Sequence, residues 1–212
     1  GAVEVIVVLN AAQGSDVVGR NSRSKAEAEQ WYGAGEETWF GMHLIEANEL
    51  PRKHAGVGLA RKIGMDEAVR RLADVGLGEE GVVVCYDADC RCDSNLLTAI
   101  EDFFARHPAA PGCSVRYEHP LTGELDPRCY QAITEYELHL RYYIEACRFA
   151  GHPFAFHTIG SSMAVQSGAY VKQGGMNRRQ AGEDFYFLQK IIPLGDFGEI
   201  NSTRVLPSPR IS

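Results

Sequence analysis

Asp87 and Asp89 stand one residue apart, directly after the apolar run Gly81 to Tyr86 (GVVVCY). Two carboxylates at the end of a buried strand repel each other unless a cation relieves them. Hard oxygen ligands suit Mg2+ or Mn2+, which commonly hold a diphosphate through one or two carboxylates plus phosphate oxygens. The same two acids also fit a plainer role, capping the next helix or sitting solvated in a loop. A second acidic pair, Glu183-Asp184, lies in GGMNRRQAGEDFYFLQK. At a helix start, acids favour the helix dipole. Alternatively, one of them is a general base at the mouth of a pocket.

Two further segments carry weaker signals. His54 to Lys62 (HAGVGLARK) is a glycine-containing loop that opens a helix, which can turn backbone N–H groups toward phosphate, with Arg61 and Lys62 adding positive charge. The P-loop pattern is absent from it. Gly160-Ser161-Ser162 precedes the apolar Met163-Ala164-Val165, and small residues there let a ligand approach the backbone. No G-x-S-x-G elbow is present. None of the seven histidines has ligand spacing; His157, beside the Gly160-Ser161 turn, is the one closest to a candidate site. Tyr130, Tyr136, Tyr142, Tyr143 and Phe149 lie on one long helical pattern and are expected to fill core.

The elements that must position these groups alternate strand and helix. Strands are expected at Val3 to Leu9, His43 to Ala47, Gly81 to Tyr86, Ser114 to Tyr117, Phe154 to Thr158 and Ser162 to Gln166. Helices are expected at Ser24 to Tyr32, Leu59 to Val75, Ser94 to Arg106 (capped by Asp93), Cys129 to Phe149 and Phe185 to Ile192. The tail from Asn201 reads as extended. This alternation implies an α/β domain with a mostly parallel sheet, whose ligands bind outside the carboxyl ends of its strands.

Composition narrows the rest. The 212 residues are 45% hydrophobic and 23% charged, as in a globular domain with a sizeable core. A net charge of −7 argues against broad nucleic-acid binding. No apolar run approaches the ~18 residues of a membrane helix. No basic leader precedes the first strand, and none of the six cysteines shows C-x2-C spacing. The expected setting is cytoplasmic, or peripheral at the inner face of a membrane.

Three segments in order resemble the family 2 glycosyltransferases: HAGVGLARKIGMDEA (54–68), VVVCYDADCRCDSNLL (82–97) and GSSMAVQSGAYVKQGGMNRRQAGEDFYFLQK (160–190). They repeat that family's sequence of an A-R-x-x-G helix, a D-x-D, a G-S turn, a G-G turn and an E-D pair. The resemblance spans roughly residues 3 to 205. It implies a GT-A-like, Rossmann-type mixed but mostly parallel sheet flanked by helices, over one domain of residues 1–212. Relative to the family, the first βα unit is expected to be missing, and Phe187-Leu188-Gln189-Lys190 stands where a Q-x-x-R-W signature is usual.

The resemblance implies transfer of a sugar, with inversion, from a nucleotide-diphosphate sugar to a glycan or lipid-linked acceptor, assisted by Mn2+ or Mg2+. It gives Asp89 the metal, Asp87 and Asp89 the ribose and diphosphate, and Arg61 and Asn10 the nucleotide. Gly160 and Ser161 approach the donor sugar. Asp184, with Glu183 beside it, is the candidate base. Arg178, Arg179 and His157 are candidates for acceptor or phosphate. Two other readings stand beside it: a non-catalytic nucleotide-sugar-binding domain, and a haloacid-dehalogenase-like phosphatase.

Overall fold

A computed structural model describes residues 2–34 and 38–209. The chain gathers into two compact units. One holds the chain up to Gly81 and takes back Gly174–Glu183; the other holds Val82–Gln173 and the chain from Asp184 onward. Each is described by itself.

The first unit is built on two parallel strands, β1 (Glu4–Ala12) and β2 (Gly41–Leu50), with the helices α1 (Val18–Gly33) and α2 (Val57–Asp74). The β-branched run in β1 favours the strand, and its pairing with β2 continues through Asn10, opposite Ala47. Asn21 of α1 donates to the Asn10 carbonyl and to Asn48 Oδ1, both at 3.1 Å, tying the helix across both strands. Gly64 lets α2 approach β1 closely: a Cβ there would stand 3.2 Å from Val8 Cγ2. Arg71 clamps Glu4 with two hydrogen bonds and holds its carboxyl down at about 2, against a smaller opposing effect of desolvation.

The second unit holds a five-stranded sheet in the order β3-β6-β5-β7-β4. Its strands are β3 (Val82–Cys85), β4 (Arg91–Cys92), β5 (Gly112–Tyr117), β6 (Met163–Gln166) and β7 (Gly198–Leu206). Its helices are α3 (Leu96–Arg106), α4 (Pro127–Phe149), α5 (Ser167–Lys172) and α6 (Glu183–Ile191). The apolar face of α3, with Leu96, Ile100, Phe103 and Phe104, packs on Cys113, Val115, Ala164, Ile200 and Val205 of the sheet. Spacing of three and four residues makes that face. Burial in this core pushes the Cys113 thiol up to about 12. The Asp126 carboxylate caps α4 by accepting from Arg128 N–H, with Pro127 in the first turn.

The chain is therefore α/β with mixed sheets. The expectation of a mostly parallel sheet is corrected: of the five strand pairings among the described residues, only β1-β2 and β5-β7 are parallel. Residues 154–158 form no strand. Both edges of β6 are taken, by β3 and β5, so the preceding chain finds no strand to join there. The aromatics of α4 are also corrected: Tyr136, Tyr142, Tyr143 and Phe149 are exposed rather than core.

Candidate functional site

Antiparallel pairing sets the geometry of the second unit's candidate site. Cys85, the last residue of β3, lies opposite Met163, the first of β6. The chain leaving β3 and the chain entering β6 therefore stand at one end of the sheet. Each makes a tight turn there. Cys90 N–H donates to the Asp87 carbonyl at 2.9 Å, closing Asp87-Ala88-Asp89-Cys90. Ser162 N–H donates to the Ile159 carbonyl at 3.0 Å, closing Ile159-Gly160-Ser161-Ser162. Both are i to i+3 bonds, the mark of a β-turn.

Side chains join the two turns. The Cys90 thiol lies beside Ser161, whose side chain is buried. Desolvation raises the Cys90 pKa, with the neighbouring charges of Asp87 and Asp89 acting in the same direction against the opposing effect of Ser161. Asp184, at the start of α6, completes the arrangement. Its Oδ2 accepts from Gly160 N–H at 2.9 Å, and its Oδ1 accepts from Phe185 N–H at 2.7 Å. Tyr136 of α4 lies near enough that Asp184's charge adds to desolvation in raising the phenol's pKa. The second unit thus brings together Asp87, Asp89, Gly160, Ser161 and Asp184.

The first unit gathers a different set. Arg61 on α2 forms an ion pair with Glu183, and both side chains are largely buried, 11% and 5% exposed. Asn177 Nδ2 donates to the Glu183 carbonyl at 2.8 Å, and Arg179 N–H to Asn177 Oδ1 at 3.1 Å. Gly58, in the HAGVGLARK segment, sits against this loop: a Cβ there would run into the Arg179 carbonyl oxygen and stand 3.0 Å from Glu183 Cβ. The side chains of Arg178 and Arg179 are exposed. Asn10 lies within β1, its carbonyl accepting from Asn21.

His157 lines a cavity with Tyr117. Its ring packs edge-on against Tyr117, with centroids 5.2 Å apart, in a polar cavity of about 350 Å³ lined by Arg141, Arg148, Glu145 and Glu199. Burial lowers its pKa, and the charges of Arg141 and Arg148 lower it further. Beside it, Glu137 accepts from His119 N–H and from Arg141, which hold its carboxyl below the usual range despite desolvation.

Among the described residues, no group of three or more His, Cys, Asp and Glu side chains is arranged to hold a metal. Asp87 and Asp89 alone fit the partial, all-oxygen donor set of a Mg2+ or Mn2+ ion that takes its remaining ligands from a diphosphate. Sequence reasoning missed Cys90 and Tyr136. Cys90 directly follows the D-x-D, a local signal, whereas nothing in the sequence brings Tyr136 to Asp184. The chain matches no protein-family model and no curated protein.

Proposed function

We propose that this chain belongs to an inverting, metal-assisted glycosyltransferase that moves a sugar from a nucleotide-diphosphate donor to an acceptor hydroxyl. The observation that carries the reading is the hydrogen bond from Gly160 N–H to Asp184 Oδ2, because it joins the small-residue turn to a carboxylate on the D-x-D side of one unit. The ordered motifs of the sequence support it as well.

In this reading Asp89, with Asp87, holds the ion. When bound, the ion supplies positive charge to the leaving diphosphate. Gly160 and Ser161 leave room for the donor sugar. Asp184 accepts the proton of the acceptor hydroxyl as its oxygen bonds to the anomeric carbon from the opposite face. The bond from that carbon to the diphosphate oxygen breaks, and its electron pair leaves with the diphosphate. A single displacement of this kind inverts the configuration. Glu183, spent in the ion pair with Arg61, is a positioning residue.

Calorimetric titration with UDP and GDP, each with and without Mn2+, tests this. Metal-dependent binding of one nucleotide, lost in Asp89→Ala, is the expected result. Identical curves with and without Mn2+ would overturn the metal assignment. Donor binding without turnover on any acceptor would leave a binding domain. Phosphatase turnover with Mg2+ and no nucleotide affinity would replace the transferase reading altogether.

A further inference from the structure

The cavity of about 350 Å³ in the second unit is built between one face of α4 and the sheet. Arg141, Glu145 and Arg148, spaced by four and three residues, supply the helix side. Ser114 of β5 and Glu199 and Asn201 of β7 supply the sheet side, and His157 joins them. Arg148 is fully engaged. Its Nε donates to the Ala155 carbonyl at 3.2 Å, its Nη1 to Glu145 at 2.7 Å, and its Nη2 to both oxygens of Glu199 at 2.6 Å. Arg141 is engaged only in part. Its Nε and Nη2 donate to Glu137 Oε1, and Nη2 also to the Tyr117 carbonyl, which leaves Nη1. Among the described residues, the His157 ring, the Ser114 hydroxyl and the Asn201 amide have no hydrogen-bond partner. Ser114 is buried and His157 half-buried, so a missing partner costs them more than it would a solvated group.

We infer that this cavity binds a small oxyanion, a carboxylate or a phosphate monoester, through Arg141 Nη1, the Ser114 hydroxyl, the Asn201 amide and a ring N–H of His157. Each of these groups can donate: a neutral imidazole keeps one N–H, a hydroxyl one O–H and an amide two N–H. The acids of the wall do not compete for the ligand's place, because Glu145 and Glu199 both accept from Arg148. The sign of the local field agrees. After burial, the charges of Arg141 and Arg148 lower the His157 pKa, and Glu145 and Glu137 offset them by less. A site that resists a proton on His157 favours negative charge beside it. The volume lies at the lower end for small-molecule sites, which keeps the ligand small. The inference does not depend on the transferase reading, which rests on Asp87, Asp89 and Asp184.

Titration of the full chain with inorganic phosphate and with acetate, each against sodium chloride of equal ionic strength, tests it, with the His157 ring signals followed by NMR. The expected result is a saturable change with at least one of the two anions and a rise in the His157 pKa at saturation, because bound negative charge favours the imidazolium. A response to phosphate alone assigns a phosphoryl ligand, and a response to acetate alone a carboxylate. Ser114→Ala removes only a hydroxyl and is expected to weaken binding roughly tenfold. Arg141→Gln is expected to weaken it further. Should that variant lose its fold with the Glu137 contact, Ser114→Ala still carries the test. Arg20→Gln, the same loss of charge at an exposed position of α1, is expected to bind as the parent does. No response beyond that to chloride, a His157 pKa that stays put at saturation, a Ser114→Ala protein with parental affinity, or equal weakening by Arg20→Gln would each overturn the inference.

Discussion

Gly160 and Asp184, 24 residues apart, are joined by a hydrogen bond of 2.9 Å from backbone N–H to Oδ2. Because Phe185 N–H occupies Oδ1, two backbone donors fix the orientation of the Asp184 carboxylate. An asparagine keeps one acceptor oxygen and much of the shape but cannot take a proton. In the proposed mechanism Asp184→Asn therefore lowers turnover by roughly 10²–10⁴-fold, the usual worth of a positioned base. Donor affinity by calorimetry is expected to stay within a few-fold of the parent. Equal loss of turnover and of donor binding would remove Asp184 from the base role and make it a binding group.

The adjacent Glu183 is expected to behave differently, because Arg61 holds it in a largely buried ion pair. Removing one partner takes the pair's attraction from the other, largely buried charge, at a cost of up to about 3–5 kcal/mol. Arg61→Met or Glu183→Gln alone is thus expected to lower the urea unfolding midpoint sharply. Removing both charges with Arg61→Met and Glu183→Leu recovers most of the loss, since an apolar pair of similar volume often replaces a buried ion pair at little cost. A double variant as unstable as the sum of the singles would mean that the pair does not act as a unit.

The contrast between these neighbours shows where the sequence stops being legible. Glu183 and Asp184 are indistinguishable as a motif. Only the placement of Arg61, 122 residues away, and of Gly160 separates them. The apolar run of β3 and the long period of α4 announce themselves because burial and helix geometry write a regular pattern. In β7 that pattern is broken. A register shift between Val115 and Tyr117 of β5 disturbs the alternation, so Ile200, Thr203 and Val205 are buried at uneven spacing and the segment reads only as an extended tail. The aromatics of α4 mislead in the opposite way, because a helix with apolar residues on two faces does not say which one its own unit covers. Trp31 and Trp39 are likewise exposed, clustering with Phe40 at the surface.

Gly58 gives a sharper test of the loop that carries Arg178 and Arg179. Its Cα faces the Arg179 carbonyl, so an added methyl group meets backbone, which cannot rotate away as a side chain would. Gly58→Ala is expected to cost about 1–3 kcal/mol by overpacking, even though alanine is the better helix former. Gly33, where an added Cβ meets nothing within 4 Å, is the control: Gly33→Ala is expected to be neutral or stabilising. Thermal unfolding of the two variants compares them directly. A Gly58→Ala protein as stable as the parent would mean that the 178–179 loop is free to move off α2.

Protonation of His157 supplies a pH dependence of stability with a definite sign. Burial, then Arg141 and Arg148, lower its pKa in the folded chain, while Glu145 and Glu137 oppose them weakly. The unfolded chain therefore binds the proton more readily than the folded one. Stability from this group is complete above the unfolded value of about 6.5, and is lost as pH falls through the depressed folded value. Glu137 adds a second loss at lower pH. Its folded carboxyl is also held below its ordinary value, so its contribution is present above the unfolded value of about 4.3 and disappears as acid protonates it. Urea unfolding at a series of pH values is expected to show two falls in free energy on acidification, one in each range. His157→Phe removes the first and leaves the second, and a first fall that persists in that variant would assign it to another histidine.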